Sequence, residues 1–122
     1  MKKISGILAK RNKVDKQDDI FTDKALREMA DFNSSRFKLN PVILNEFRLD
    51  SPIGSVTDMI YKDGELTASI LLMKGMTVKK LKDKIFRCWG SVTKSVKKGN
   101  IRKILGFDIL GIGMVSKDKD IY

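Results

Sequence analysis

The chain has 122 residues, 42% of them hydrophobic, and a length of that order suits one domain over residues 1–122 with a modest core. It contains one cysteine and no histidine, which excludes an internal disulfide framework, a zinc site and a Cys-His nucleophile pair. The formal net charge of +10 is uneven: residues 1–73 carry 12 Lys and Arg against 11 Asp and Glu, while residues 74–122 carry 13 against 4.

Lys2 to Ala9 reads as a strand, with Ile4 and Leu8 spaced by small residues and Gly6 admitting another backbone at close range. The start is basic and then briefly apolar, but charge returns at Lys10 and Arg11, too soon for a signal peptide. Asn12 to Asp19 is a polar loop. Thr22 or Asp23 caps a helix through Phe32, in which Ala25, Leu26, Met29 and Ala30 follow the spacing of one buried stripe. Asp18, Asp19 and Asp23 suit the positive end of its dipole, and their spacing matches no calcium loop. Asn33-Ser34-Ser35 ends the helix.

The central run from Asn40 to Leu72 predicts strands at Pro41 to Leu44, Gly54 to Tyr61 and Leu66 to Leu72. Asp63-Gly64 between apolar-rich runs predicts a tight hairpin turn. In that register Lys62 faces Glu65, Tyr61 faces Leu66, Met59 faces Ala68 and Thr57 faces Ile70, which makes the buried face. Ile60 with Thr67, Asp58 with Ser69 and Val56 with Leu71 make the other.

Beyond a turn at Met73 to Met76, a second helix is expected from Thr77 to about Arg87, with Val78, Leu81 and Ile85 as its apolar stripe and Met76 as a staple on the Thr77 cap. Trp89 to Val96 reads as a strand, Lys97-Lys98-Gly99-Asn100 as a turn, and Ile101 to Phe107 as the returning strand. Asp108 to Val115 is a last, glycine-spaced apolar strand. Its longest apolar run, Ile109 to Val115, is too short to span a bilayer, so a soluble intracellular or intraviral protein is expected. The expected fold class is mainly β with two helices (α+β), a small β-barrel of about six or seven strands with the helices packed outside.

Catalytic signals are sparse. The absence of histidine removes the commonest general base near neutral pH. Gly111 and Gly113 lie inside an apolar run without the following helix a phosphate loop needs. Cys88-Trp89-Gly90-Ser91 offers a nucleophile type, with a buried inert thiol as the alternative reading. Glu46 and Asp50 are carboxylates whose pairing depends on the fold. The basic second half points to an acidic partner, with a solvated basic face as the bland alternative.

The order of motifs resembles the prohead protease family of tailed double-stranded DNA phages, whose fold is shared with the herpesvirus assembly proteases. The resemblance rests on Gly6, Val14-Asp15, Asp19-Ile20, Ala25-Leu26, Pro41-Val42-Ile43-Leu44-Asn45, Pro52-Ile53-Gly54-Ser55-Val56, Cys88-Trp89-Gly90 and Leu110 to Val115. It covers nearly the whole chain in order. Where the family has its catalytic histidine this chain has Glu46; where it has its serine nucleophile this chain has Cys88, or Ser91 in a shifted register. Gly111 falls about where the family has an acidic or polar residue.

The resemblance therefore implies a degenerate, non-enzymatic member kept as a virion structural protein, an auxiliary or decoration protein of the capsid, in the virion and in the host cytoplasm during assembly. Its partners would be the major capsid protein or other virion proteins, or the packaged DNA, with no cofactor, small-molecule substrate or membrane. The expected contact residues are Lys79, Lys80, Lys82, Lys84, Arg87, Lys94, Lys97, Lys98, Arg102 and Lys103. The alternatives are a maturation protease using Cys88 with an unorthodox base, and a basic nucleic-acid-binding phage protein.

Overall fold

A computed structural model describes residues 2–39, 42–48 and 50–122, with side chains described outside 32–39, 42 and 44. The elements are strands β1 (Lys3–Lys10) and β2 (Asp19–Phe21), helix α1 (Asp23–Leu39), and strands β3 (Val42–Asn45), β4 (Pro52–Lys62), β5 (Glu65–Leu72), β6 (Lys84–Lys98) and β7 (Ile101–Ser116). Two short 3-10 turns, Val78–Leu81 and Lys117–Lys119, complete them. No helix among the described residues is long and apolar enough to cross a membrane.

The predicted mainly-β character holds, with one helix in place of two and without a closed barrel. The seven strands run in the order β1-β5-β4-β3-β7-β2, and β6 lies along the other edge of β7. β7 is the hub. The antiparallel partner β6 follows it from Lys84 opposite Ser116 to Lys98 opposite Ile101. On its opposite edge, β3 pairs in parallel with Ile112 to Met114 and β2 with Arg102 to Ile104. Asp108 lies within this strand rather than between two, so the expected pair Ile101 to Phe107 and Asp108 to Val115 is one continuous element.

Local chemistry sets the β4–β5 hairpin. Asp63 and Gly64 both have positive φ, as a two-residue turn with the right twist requires. The expected register holds from Lys62–Glu65 to Asp58–Ser69, then shifts by one at Thr57, so that Val56 faces Ile70 and Ser55 faces Leu71. The physical reason is burial. Ile53, Val56 and Met59 are all in the core, a spacing of three that a flat strand of period two cannot bury without a bulge.

In α1, Ala25, Leu26, Met29 and Ala30 are buried as expected, against β4 and β7. The Thr22 hydroxyl accepts from the Ala25 N–H at 3.2 Å and donates to the Ile104 carbonyl at 2.8 Å, so the cap also ties the helix to β7. The helix continues past Asn33-Ser34-Ser35 to Leu39. Asn and Ser weaken a helix interior without forbidding it, and the first helix breaker is Pro41, which lies outside the described residues together with the expected strand start there.

The expected second helix from Thr77 to Arg87 is a single 3-10 turn followed by a strand. Thr77 does cap it, accepting from the Lys80 N–H at 3.4 Å, but Asp83 takes a positive φ that ends it and Lys84 joins β7. Only Leu81 of the turn is buried. Pairing the backbone with β7 while burying Phe86 satisfies more of the segment than a lysine-covered helix would.

Between β1 and β6 the sheet stays open. β1 pairs with β5 and β6 with β7, and the two facing strands meet through a side chain instead of a ladder. A Cβ at Gly6 would lie 1.9 Å from the Phe86 ring, so the ring rests directly on the β1 backbone. Gly6→Val is therefore expected to lower stability by about 1–3 kcal/mol through overpacking, seen as a thermal midpoint several degrees lower. An unchanged midpoint would mean that β1 and β6 part freely at this point.

Candidate functional site

Two places bear on function: the turn after β3, where the resemblance puts catalysis, and the cleft along the open seam.

At the first, Glu46 and Phe47 both adopt positive φ, 52° and 57°, in a tight turn closed by the Arg48 N–H donating to the Asn45 carbonyl at 3.0 Å. Such backbone costs of order 1–3 kcal/mol per residue and persists only where its surroundings fix it. Here they do. The Glu46 N–H donates to the Met114 carbonyl at 2.9 Å, and Glu46 Oε1 accepts from Lys84 Nζ at 2.8 Å, the Ser116 N–H at 3.0 Å and the Ser116 hydroxyl at 3.2 Å. Oε2 accepts from Lys119 Nζ at 3.0 Å. These donors, Lys84 foremost and then Lys119, hold the carboxyl down to about 2.

Phe47 meets Trp89 edge-on with ring centroids 4.8 Å apart. Trp89 in turn lies over Gly111, where an added Cβ would come within 1.8 Å of the indole. The position matching the family's acidic or polar residue is thus covered by an aromatic ring. Cys88 faces Ile112 in the ladder and is half-buried against the core, and desolvation of its thiol pushes it up to about 12. A carboxylate titrating near 2 is a poor base for a thiol titrating near 12, so proton transfer between them is mismatched near neutral pH. Ser91 is exposed on β6 opposite Asp108.

Two acidic residues around the start of α1, Asp19 and Asp23, are engaged as acceptors. Asp19, 5% exposed, binds Arg102 through both oxygens at 2.8 and 2.9 Å. Asp23 accepts from the Tyr61 hydroxyl at 2.6 Å and from Arg27 at 2.8 Å, which holds it down to about 2.

The ten cations expected to meet a partner do not form one surface. Lys84 is committed to Glu46 and to Asn45 Oδ1 at 2.7 Å, and Arg102 to Asp19. Both serve the fold first. Lys94, Lys97 and Lys98 are exposed toward the far end of β6, with Lys103 opposite on β7; roughly 45 Å of extended strand lie between Lys84 and Lys98. Lys80 donates to the Gly75 carbonyl at 3.3 Å. Lys79, Lys82, Lys84 and Arg87 come together along the seam, in a cleft of about 800 Å³ floored by Ile4, Gly6, Leu8, Leu81, Phe86 and Met114.

Lys10 and Lys13 also line this cleft, and sequence reasoning missed them because they precede the basic half by more than sixty residues. Ile7 and Val78 line it while 40% and 42% exposed. Its far end is crossed by the segment after the last 3-10 turn. The Tyr122 hydroxyl accepts from the Lys10 N–H at 2.6 Å and donates to the Lys10 carbonyl at 3.3 Å. Lys13 Nζ sits 5.0 Å from the centre of the same ring.

Because the folded pKa of Glu46 lies below its ordinary value of 4.5, its contribution to stability is complete above about 4.5 and is lost as pH falls through about 2. Urea denaturation of the wild type and Glu46→Gln is expected to show a stability gap that narrows across that window; a gap independent of pH would mean that the ion pairs contribute nothing. Cys88 in the native protein is expected to resist iodoacetamide at pH 8 and to label rapidly in denaturant. Fast native labelling would mean that the sulfur is open to solvent despite its packing on the core.

No protein-family model matches this chain, and no curated protein matches it. Among solved structures the chain is similar to the capsid assembly protease gp21 of bacteriophage T4, with a TM-score of 0.67 and 15% identity over 93% of this chain and 80% of that one. At that identity the likeness establishes a fold in common, a prohead-protease-like fold.

Proposed function

We propose that this protein is a non-enzymatic component of phage capsid assembly, an auxiliary or decoration protein that uses a protease-like fold to bind virion proteins. The observation that carries the reading is the state of Glu46. The residue that the motif order aligns with the family's catalytic histidine is a carboxylate with donors on both oxygens and a pKa near 2, next to strands whose single thiol faces the core. A base must be unoccupied and matched in pKa to its nucleophile, and this one is neither. The likeness to a capsid assembly protease supports the assembly context. Fold alone fixes no activity, so the context is drawn from the likeness and the lack of catalysis from the side chains.

The reading places the protein in the capsid, against the major capsid protein or another shell protein, with the basic residues as contacts. Quantitative mass spectrometry of purified particles and of their precursors tests it. The expected result is a copy number comparable to that of capsid subunits or capsomers in mature particles. Presence in precursors alone, with cleavage of a capsid precursor that disappears in Cys88→Ala, would replace this reading with that of a maturation protease.

A further inference from the structure

We infer that the open seam between β1 and β6 is a docking groove for one extended segment of a partner protein, a strand in which acidic residues alternate with apolar ones. The inference deepens the proposed function by naming where a protein partner seats and what chemistry it carries, and it rests on the reading that the chain binds another protein.

Three observations carry it. First, β1 offers backbone. Among the named strands it pairs only with β5, and within the cleft the N–H and C=O of Lys10 are both bonded, not by a strand, but by the Tyr122 hydroxyl. A phenol taking both groups of one residue does locally what a paired strand would do along the whole edge. From Ile4 to Lys10 that edge is about 20 Å long, enough for about six extended residues. Second, the groove is apolar, with Ile7 and Val78 standing two-fifths exposed beside a floor that includes Leu8, Leu81 and Phe86. Exposed apolar surface gathered in one concave place marks a binding surface, whereas the same residues scattered singly would not.

Third, the rim is cationic. Lys10, Lys13, Lys79, Lys82 and Arg87 line the groove against one carboxylate, Asp120, and no ion pair among the described residues engages any of the five. Charge complementarity therefore selects an acidic occupant. The apolar floor selects a peptide over nucleic acid, since a phosphate backbone would leave Ile7, Val78 and Phe86 unused. Alternation follows from the strand geometry: successive side chains of an extended segment point to opposite sides, one toward the floor and the next toward the rim.

The test uses the full chain and a resin-displayed library of random peptides about eight residues long. Enriched sequences are expected to alternate Asp or Glu with Val, Ile, Leu or Phe and to lack central proline. The best of them, measured by fluorescence anisotropy, is expected to lose about tenfold in affinity with Lys79→Glu combined with Lys82→Glu, two exposed positions whose change should leave the thermal midpoint in place. It is expected to bind more tightly to Tyr122→Phe, which frees the Lys10 N–H and carbonyl. No enrichment, enrichment of basic or proline-rich peptides, indifference to the lysine reversals, or displacement by duplex DNA at equal concentration would each overturn the assignment. Peptide binding is read without particles, so the groove can fail while the copy number in the capsid stands, and the reverse.

Discussion

Strand β7 is bonded along both edges, and most of this molecule follows from that. One edge takes the whole of β6; the other takes β2 near its start and β3 near its end. Ile104, Ile109, Ile112, Met114 and Val115 bring its side chains into the core, and the Ile104 carbonyl receives both the N–H and the hydroxyl of Thr22 at the head of the helix. Because β6 is bound so completely to β7, its other edge is left to face β1. No ladder pairs the two, the Phe86 ring rests on Gly6 between them, and the seam is the consequence.

The same strand governs the turn at Glu46. Met114 and Ser116 supply the acceptor and donors that hold Glu46 in a backbone conformation a non-glycine residue rarely takes. Lys84, brought opposite Ser116 by the β6–β7 ladder, adds its ammonium. A carboxylate in this setting is a structural tie between β3, β6 and the end of β7. Trp89 over Gly111, braced by Phe47, fills the adjoining surface with aromatic packing. A fold similar to that of a capsid assembly protease thus carries at this place a set of contacts suited to holding strands together.

Net charge gave little guidance to the location of a binding surface. The excess of Lys and Arg in residues 74–122 divides among three tasks in the folded chain. Arg102 and Lys84 neutralise Asp19 and Glu46, the β6–β7 hairpin keeps Lys94, Lys97 and Lys98 on an exposed strand, and Lys79, Lys82 and Arg87 border the seam with Lys10 and Lys13 from the other half. A charged exposed strand is itself protection against pairing between copies.

Features whose cause lies within a few residues are legible in the order of amino acids alone. The Asp63-Gly64 turn, five pairs of the register beside it, a cap at Thr22 or Asp23 that the fold assigns to Thr22, and the stripe Ala25, Leu26, Met29 and Ala30 follow from local backbone preference and periodicity. So did the motif order that pointed to a prohead-protease-like fold. The remaining features depend on partners far along the chain. Val78, Leu81 and Ile85 fit a helical stripe equally well, and it is pairing with β7 that makes Lys84 onward a strand. The bulge at Thr57 answers a core that all seven strands and the helix create jointly. The state of Glu46 and the place of Lys10 and Lys79 in one cleft are likewise settled by residues dozens of positions apart, because charge and hydrogen bonding act through space and a sequence records only order.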